Sequence, residues 1–399
     1  MPRILYISRG PVPPAADIAL NKFNFISEVA EGEVLLPVWF LNEAAVPSYL
    51  QQDFPIYRIG KFRFHFFLER RFPQWLRSVA RLCFYVFRGL QLHREKPFDF
   101  IMTYGTNFPG LAGVLLKWIT GAKFILEVPG VPEDAFVSMV PIPTWKEKTK
   151  RCIADWMLNA VGGAADCFKL QYPWQLHSFP KLAGKKAVVF HDFVPGARIS
   201  AHPSKEDYIL LVGYPWYLKG FDIVIRAFLS VAAEFPSCKL KLMGGPIPDQ
   251  ERKYLEELAR GCAQIEFVKP VPYDEALRMI GGCALFVVAS RSDALPLVML
   301  EAMAARRPVI ASTVGGVAHC IRDGIDGLLF PPEDVDGLAT KMRTLLNQPE
   351  LRAQLADGGY ERFFAEFDER AYVRGFREML HSIGTQKEPE LSTVPTRPI

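Results

Sequence analysis

Short β-rich apolar runs alternate with longer helical patterns along this 399-residue chain, and the alternation runs twice. In the first half the runs are Arg3–Ser8, Glu33–Phe40, Asp99–Tyr104, Lys123–Val128, Asp166–Leu170 and Ala187–Phe190. In the second half they are Tyr208–Gly213, Lys239–Met243, Gln264–Val268, Ala284–Ala289 and Pro308–Ser312. Apolar strands separated by helical crossovers belong to parallel sheets covered on both faces. The pattern breaks between Pro195-Gly196-Ala197 and Pro203-Ser204-Lys205. The reading is an α/β protein of two Rossmann-like domains, residues 1–200 and 201–369, with parallel sheets facing each other over a cleft. One more helix follows at Arg370–Ile383, and the tail 384–399, rich in charge and proline, reads as disordered.

The length provides ample core for two domains, and half the residues are hydrophobic, which excludes a disordered chain. Seven scattered cysteines contain no CxxC pair and no tight Cys/His spacing, so they read as reduced, mostly buried thiols of a cytoplasmic protein. The N-terminal apolar run is too short for a signal peptide and reads as a first strand. The longest uncharged stretch, Phe100 to Leu116, falls short of a membrane span.

Charge is uneven. Residues 1–200 carry 24 Lys/Arg against 16 Asp/Glu, and residues 201–399 carry 23 against 27. Much of the excess lies in residues 61–96, which hold nine basic and two acidic residues interleaved with Phe62, Phe64, Phe66, Phe67, Phe72, Trp75, Phe84, Tyr85 and Phe87. Two readings stand level. One is an anionic membrane surface, placing the protein on the inner face of the cell membrane as a peripheral partner. The other is a solvated basic face on a core helix. Nucleic acid is excluded as a partner, because no other feature resembles a nucleic-acid module.

One residue points to function. Leu297-Val298-Met299-Leu300-Glu301-Ala302-Met303-Ala304-Ala305 reads as a buried helix with Glu301 in its middle and no Lys or Arg three or four residues away. A buried, unpaired carboxylate costs several kcal/mol, so it is retained for a ligand rather than for the fold. The strand before this helix ends in Ser290-Arg291-Ser292-Asp293, with Pro296 near the first helical position. Such a loop at the carboxyl end of a strand is where open α/β sheets bind ligands, and the helix N-terminus favours phosphate. Asp293 alone reads equally well as a helix cap.

The segment from Ser290 to Phe330 resembles the signature of family-4 retaining glycosyltransferases of the GT-B fold. The matching residues are Asp293 and, eight positions on, Glu301 with Ala302-Met303-Ala304. They continue through Pro308 to Ala311, Gly315-Gly316, and Gly324-Ile325-Asp326-Gly327-Leu328-Leu329. The match extends back through Tyr208–Gly213, Lys219-Gly220-Phe221-Asp222 and Lys239–Gly245. It covers roughly residues 205 to 370.

The resemblance implies sugar transfer from a nucleotide-diphosphate sugar, a co-substrate, with no other cofactor and no metal. It implies that Glu301 holds the ribose hydroxyls, since a carboxylate accepts two hydrogen bonds from a vicinal diol. Asp293 would lie beside the donor sugar, and backbone N–H groups of Leu297 and Val298 would reach the diphosphate. Lys219 sits where a cation could stabilise the leaving phosphate. Gly220 and the pair Gly244-Gly245 fit a close backbone approach to the same phosphates. The C-terminal helix commonly returns to the first domain in this family. Attack from the front face would retain stereochemistry, with positioning carrying most of the catalysis. Asp334-Val335-Asp336 matches the metal motif of a different glycosyltransferase fold, but opens a helix at Gly337–Leu346, where capping accounts for it.

Several family positions differ. Tyr214 stands where an arginine is usual, Arg306 where a glycine is, and His319 where an acidic residue is. Trp216 and Tyr217 are placed to stack on a base or sugar ring. Arg9-Gly10-Pro11-Val12-Pro13-Pro14 replaces a glycine-rich loop, and Glu127-Val128-Pro129-Gly130 stands where the family carries a histidine. Glu127 reads either as the acceptor-side polar group or as a capping or ion-paired residue. His177 and His191 read as structural. The leading expectation is a transferase building a surface polysaccharide or glycolipid on a glycan or lipid-linked acceptor. The alternatives are a nucleotide-sugar epimerase of the same fold and a degenerate paralogue that only binds the nucleotide sugar. A nicotinamide dehydrogenase is disfavoured, because no Gly-x-Gly-x-x-Gly follows a strand.

Overall fold

A computed structural model describes residues 1–8, 20–38, 56–68, 72–130, 145–177, 179–201, 207–245 and 249–384. The 9–14 loop, the 203–205 break and the tail beyond Gly384 lie outside the described residues. The chain forms two compact α/β units. The first comprises the residues up to Pro132, Thr149–Phe190 and those from Tyr372 onward; the second is centred on His191–Ala371.

The first unit is built on an eight-stranded sheet. In chain order its elements are β1 (Arg3–Ile7), α1 (Lys22–Ile26), β2 (Glu31–Val38), β3 (Ile56–Ile59), β4 (Phe62–Leu68), α2 (Arg77–Glu95), β5 (Phe100–Tyr104), α3 (Phe108–Thr120), β6 (Lys123–Glu127), α4 (Trp145–Ala164), β7 (Cys167–Leu170), α5 (Pro180–Ala183) and β8 (Ala187–Val189). The spatial order is β3-β4-β2-β1-β5-β6-β7-β8, parallel throughout except for the edge pair β3/β4. Helices α2, α3 and α4 share one apolar core with the sheet, through Tyr85 and Leu92, Ala112 and Leu116, and Leu158 and Val161.

Residues 61–96 divide into two elements of different character. Phe62, Phe64, Phe66 and Phe67 of β4 are buried core, as is Tyr85 of α2. Two of the interleaved polar residues of β4, Arg63 and His65, are drawn to a neighbouring strand. Glu33 on β2 accepts from Arg3 at 2.8 Å, Arg63 at 2.5 Å and His65 at 2.8 Å. Burial alone would raise the Glu33 pKa, but hydrogen bonds from His65 and Arg63 bring it down to about 2. The β4 part of 61–96 is therefore core, with its counter-charge supplied by a neighbouring strand.

The second unit carries β9 (Tyr208–Val212), α6 (Phe221–Leu229), β10 (Lys239–Met243), α7 (Asp249–Leu258), β11 (Ile265–Val268), α8 (Tyr273–Gly282), β12 (Leu285–Val288), α9 (Leu297–Ala304), β13 (Val309–Ser312), α10 (Val317–Cys320), β14 (Leu328–Phe330), α11 (Val335–Asn347) and α12 (Pro349–Glu366). Its six parallel strands lie in the order β11-β10-β9-β12-β13-β14. That is the doubly wound dinucleotide-fold order, in which strand succession reverses between β9 and β12. A last helix, α13 (Glu369–Gly384), sets Tyr372 and Phe376 against Phe190 in the first unit, with ring centroids 5.4 and 6.4 Å apart.

The strands β3, β4 and β14 were not anticipated; the other eleven fall within one or two residues of the apolar runs. Of the seven cysteines, Cys167, Cys238, Cys283 and Cys320 are buried, Cys262 is half-buried, and Cys83 and Cys152 are exposed. Burial pushes the thiols of Cys167 and Cys283 up to about 12.

Candidate functional site

The strand reversal in the second unit brings two loops together at the carboxyl ends of β9 and β12. The first runs from Gly213 to Gly220. Gly220 has φ +70°, and a Cβ there would fall 2.1 Å from the Ala289 carbonyl oxygen, so only glycine lets this loop close on the end of β12. The second loop runs from Ala289 to Pro296. Gly315 (φ +46°) closes on it from the β13 side, where a Cβ would sit 1.7 Å from the Asp293 carbonyl.

These approaches join two residues 74 positions apart: Lys219 Nζ donates to Asp293 Oδ2. Ser290 Oγ donates to the same oxygen at 3.3 Å. The capping reading of Asp293 is overturned, since α9 is preceded by Pro296 and has no side-chain cap. The first N–H groups of α9, on Leu297 and Val298, have no carbonyl of a preceding turn to pair with.

Glu301 lies one helical turn deeper, only 6 % exposed. The Tyr273 hydroxyl donates to its Oε1 at 2.7 Å, and no ion pair to it occurs among the described residues. Burial raises its pKa, partly opposed by the Tyr273 hydrogen bond. A carboxylate held in this way keeps acceptor capacity for a hydroxyl-bearing ligand.

Tyr214 is half exposed, and its ring lies beside Gly245, where a Cβ would come within 3.0 Å of it. Gly244 meets the Gly213 carbonyl, with 2.4 Å left for a Cβ. The structure thus gathers Tyr214, Lys219, Gly244, Gly245, Asp293, Leu297 and Val298 at the ends of adjacent strands. It separates Trp216, which is buried in the core with its Nε1–H donated to Glu251. The Arg291 guanidinium lies over one face of the Tyr217 ring at 3.9 Å.

Arg291 is the residue that sequence reasoning passed over. It makes a two-pronged pair with Asp222 of α6, 2.9 Å on each side, and also bonds Glu333 beyond β14. Its backbone N–H donates to the Leu218 carbonyl at 2.8 Å. Arg291 therefore ties the Asp293 loop to the Lys219 loop, which fixes the Lys219–Asp293 pair. The available signal was the acidic residue at Asp222 in the first turn of the helix after Lys219, with no local partner. Asp334 behaves as expected: its Oδ1 accepts from the Gly337 N–H at 2.9 Å and caps α11.

Glu127, in the first unit, is not part of this group. It is fully buried at the end of β6, where it accepts from the Tyr6 hydroxyl and pairs with Lys169 at 3.0 Å and Lys22 at 3.9 Å. Of its two possible readings, the ion-paired one describes what the structure holds. Lys22, which also bonds the Tyr6 hydroxyl at 2.6 Å, is the member of this cluster that reaches solvent.

With this geometry in view, residues 197–362 match the family Glycosyl transferases group 1. The chain is 34% identical over 168 residues to a D-inositol 3-phosphate glycosyltransferase of Mycobacterium avium, covering 39% of this chain and 38% of that protein. It is 31% identical over 166 residues to an uncharacterized glycosyltransferase of Methanocaldococcus jannaschii, covering 41% and 45%. The chain spans less than half the length of these curated relatives. Across nearly its whole length it shares the fold of a sucrose-phosphate synthase from Thermosynechococcus elongatus, with TM-score 0.76, 18% identity, and coverage of 96% of this chain and 99% of that one. Anabaena HepE in complex with UDP-glucose follows at TM-score 0.69 and 17% identity, covering 95% and 99%. The fold is accordingly GT-B, and the second unit carries a glycosyl transferases group 1 domain.

Proposed function

We propose that the protein is a retaining, family-4 glycosyltransferase. It moves a sugar from a nucleotide-diphosphate sugar to a glycan or lipid-linked acceptor, in surface polysaccharide or glycolipid synthesis. The observation that carries this reading is the Lys219–Asp293 pair at the strand reversal, one helical turn from a buried carboxylate without a basic partner. The complex of HepE with UDP-glucose supports a uridine diphosphate sugar as the donor.

In this reading Glu301 accepts the two ribose hydroxyls, and the N–H groups of Leu297 and Val298 meet the diphosphate. Lys219 stabilises the charge that develops on the leaving phosphate as the anomeric C–O bond breaks. Asp293 holds the Lys219 ammonium in place and lies beside the donor sugar. Gly244, Gly245 and Tyr214 form the opposite wall of the phosphate pocket. No metal is assigned a role. Glu127 is the polar group of the acceptor side, held by Lys169 and by the Tyr6 hydroxyl that Lys22 also bonds.

The test is donor turnover. Glu301→Ala and Lys219→Ala abolish donor hydrolysis and transfer while circular dichroism stays native; unchanged turnover in either variant refutes the assignment. A labelled donor converted without any acceptor to its epimer would instead make the protein an epimerase.

A further inference from the structure

The hydroxyl that meets Glu301 comes from a side chain 28 positions earlier in the chain. Tyr273 is the first residue of α8, directly after Pro272. The Pro272 carbonyl accepts the Glu275 and Ala276 N–H groups at 3.0 Å each, which fixes where the helix starts. The Arg198 guanidinium lies over the Tyr273 ring, 5.8 Å from its centroid, and donates to the adjacent Asp274 at 3.2 Å. Tyr273 is 46% exposed, so it reaches from the surface to a carboxylate that is almost fully enclosed.

The rest of that carboxylate is unanswered. Among the described residues no second hydrogen bond reaches Glu301 and no cation pairs with it. The elements packed against α9 are α8, α12, β12 and β13. β12 and β13 bring no ionisable side chain. On α12, Asp357 pairs with Arg306 at 2.9 Å and Arg362 with Asp326 at 3.6 Å. On α8, Asp274 is taken by Arg198, and neither Glu275 nor Arg278 influences the titration of Glu301. Burial pushes the Glu301 pKa up, and the Tyr273 hydrogen bond opposes it. A hydrogen bond donated to the ionised form favours that form. The same bond fixes one carboxylate oxygen and leaves Oε2 as an acceptor for a ligand.

We propose that Tyr273 is a positioning residue of the donor site: its hydroxyl holds Glu301 as an oriented, ionised acceptor for ribose, and so makes the site select ribonucleoside over deoxyribonucleoside diphosphates. This rests on Glu301 being the group that binds the ribose. A buried carboxylate that loses one of its hydroxyl donors is left with unmet charge, so the site rejects a ligand lacking that hydroxyl. Without the phenol, Glu301 takes up a proton more readily. The protonated form carries a hydroxyl that needs an acceptor of its own, and it pairs poorly with a diol that brings two donors.

Binding of UDP and 2′-deoxy-UDP, followed by titration calorimetry across pH, tests this in Tyr273→Phe, which keeps the ring. The variant binds UDP about tenfold more weakly near neutral pH, and the loss narrows in alkali. The acid limb of UDP binding moves to higher pH, and the preference for UDP over 2′-deoxy-UDP shrinks. Tyr273→Phe placed on Glu301→Gln costs little further affinity, because the two residues act as one unit. A ring that served only packing would move none of these readings. Without ligand, the carboxyl carbon resonance of Glu301, identified by its loss in Glu301→Gln, titrates at higher pH in Tyr273→Phe. If neither protein binds UDP, the donor reading fails and this role with it, even with a moved midpoint. Wild-type binding of UDP, with the midpoint, the acid limb and the ribose preference all unchanged in Tyr273→Phe, overturns the role of Tyr273 and leaves the donor reading standing.

Discussion

One buried carboxylate of the second unit is held unlike the buried glutamates of the first. In the first, Glu33 and Glu127 are each enclosed by cations: Arg3, Arg63 and His65 around one, Lys169 and Lys22 around the other. In the second, Glu301 is also buried but among the described residues meets a tyrosine hydroxyl and no cation. The first arrangement is closed on itself and serves the fold. The second carries an unmet demand for hydrogen-bond donors, which a ligand can fill. The difference also follows the resemblance to known transferases, which is dense in the second unit and absent from the loops of the first.

The sharpest break of this comparison comes from removing each carboxylate. Glu301→Gln weakens donor binding by a hundredfold or more, at about 1.5–3 kcal/mol for each lost hydrogen bond to a charged acceptor, as titration calorimetry checks. The same change stabilises the fold at neutral pH, because it removes a buried charge. Folded Glu301 titrates above its ordinary value of 4.5, so the native state holds that proton more tightly. Stability attributable to it therefore falls as pH rises from 4.5 through the folded pKa, and the neutral amide escapes that loss.

Glu33→Gln does the reverse. It leaves the buried Arg3 and the part-exposed Arg63 beside an amide and costs about 3–5 kcal/mol in urea unfolding, with no direct effect on the donor site. Its wild-type contribution is present above pH 4.5 and disappears as pH falls toward about 2, so the stability gap between variant and wild type closes in acid and the variant's pH dependence across that window shrinks.

Arg291→Ala releases the tie between the Lys219 and Asp293 loops. It lowers donor turnover on the order of a hundredfold, mostly in kcat, because a small displacement of a positioned cation is costly. Arg291→Lys restores little, since a lysine cannot span both Asp222 oxygens and Glu333.

The smallest effect concerns the helix that carries Glu301. Arg306 sits at φ +56° just beyond α9, where the Arg307 N–H donates to the Ala302 carbonyl at 2.9 Å and the Arg306 N–H to Met303 at 3.0 Å. This is the glycine position of a Schellman close, occupied by an arginine. Arg306→Gly raises stability by about 1 kcal/mol or less in thermal unfolding, the relieved strain being partly offset by the lost surface pair with Asp357.

Local signals made the second unit legible. Its strands are short apolar runs, and Glu301 is conspicuous because every neighbour on its helix is apolar. The first unit was harder to read for a physical reason. The Phe62-Arg63-Phe64-His65-Phe66 alternation is a period-two strand pattern, yet its cations drew the reading toward an exposed basic face. Only the partner strand, with Glu33 thirty residues earlier, reveals that both faces are buried.

The sequence alone determined the α/β alternation and the doubled architecture, and it singled out the candidate site residues, because periodicity and apolar context are local properties. Tertiary structure decided which charges meet. Lys219 finds Asp293 across 74 positions, Arg291 finds Asp222 across 69, and Glu127 is taken by Lys169 rather than left free. Those pairings depend on strand order, which places loops distant in the chain at adjacent strand ends, and no window of sequence spans that distance.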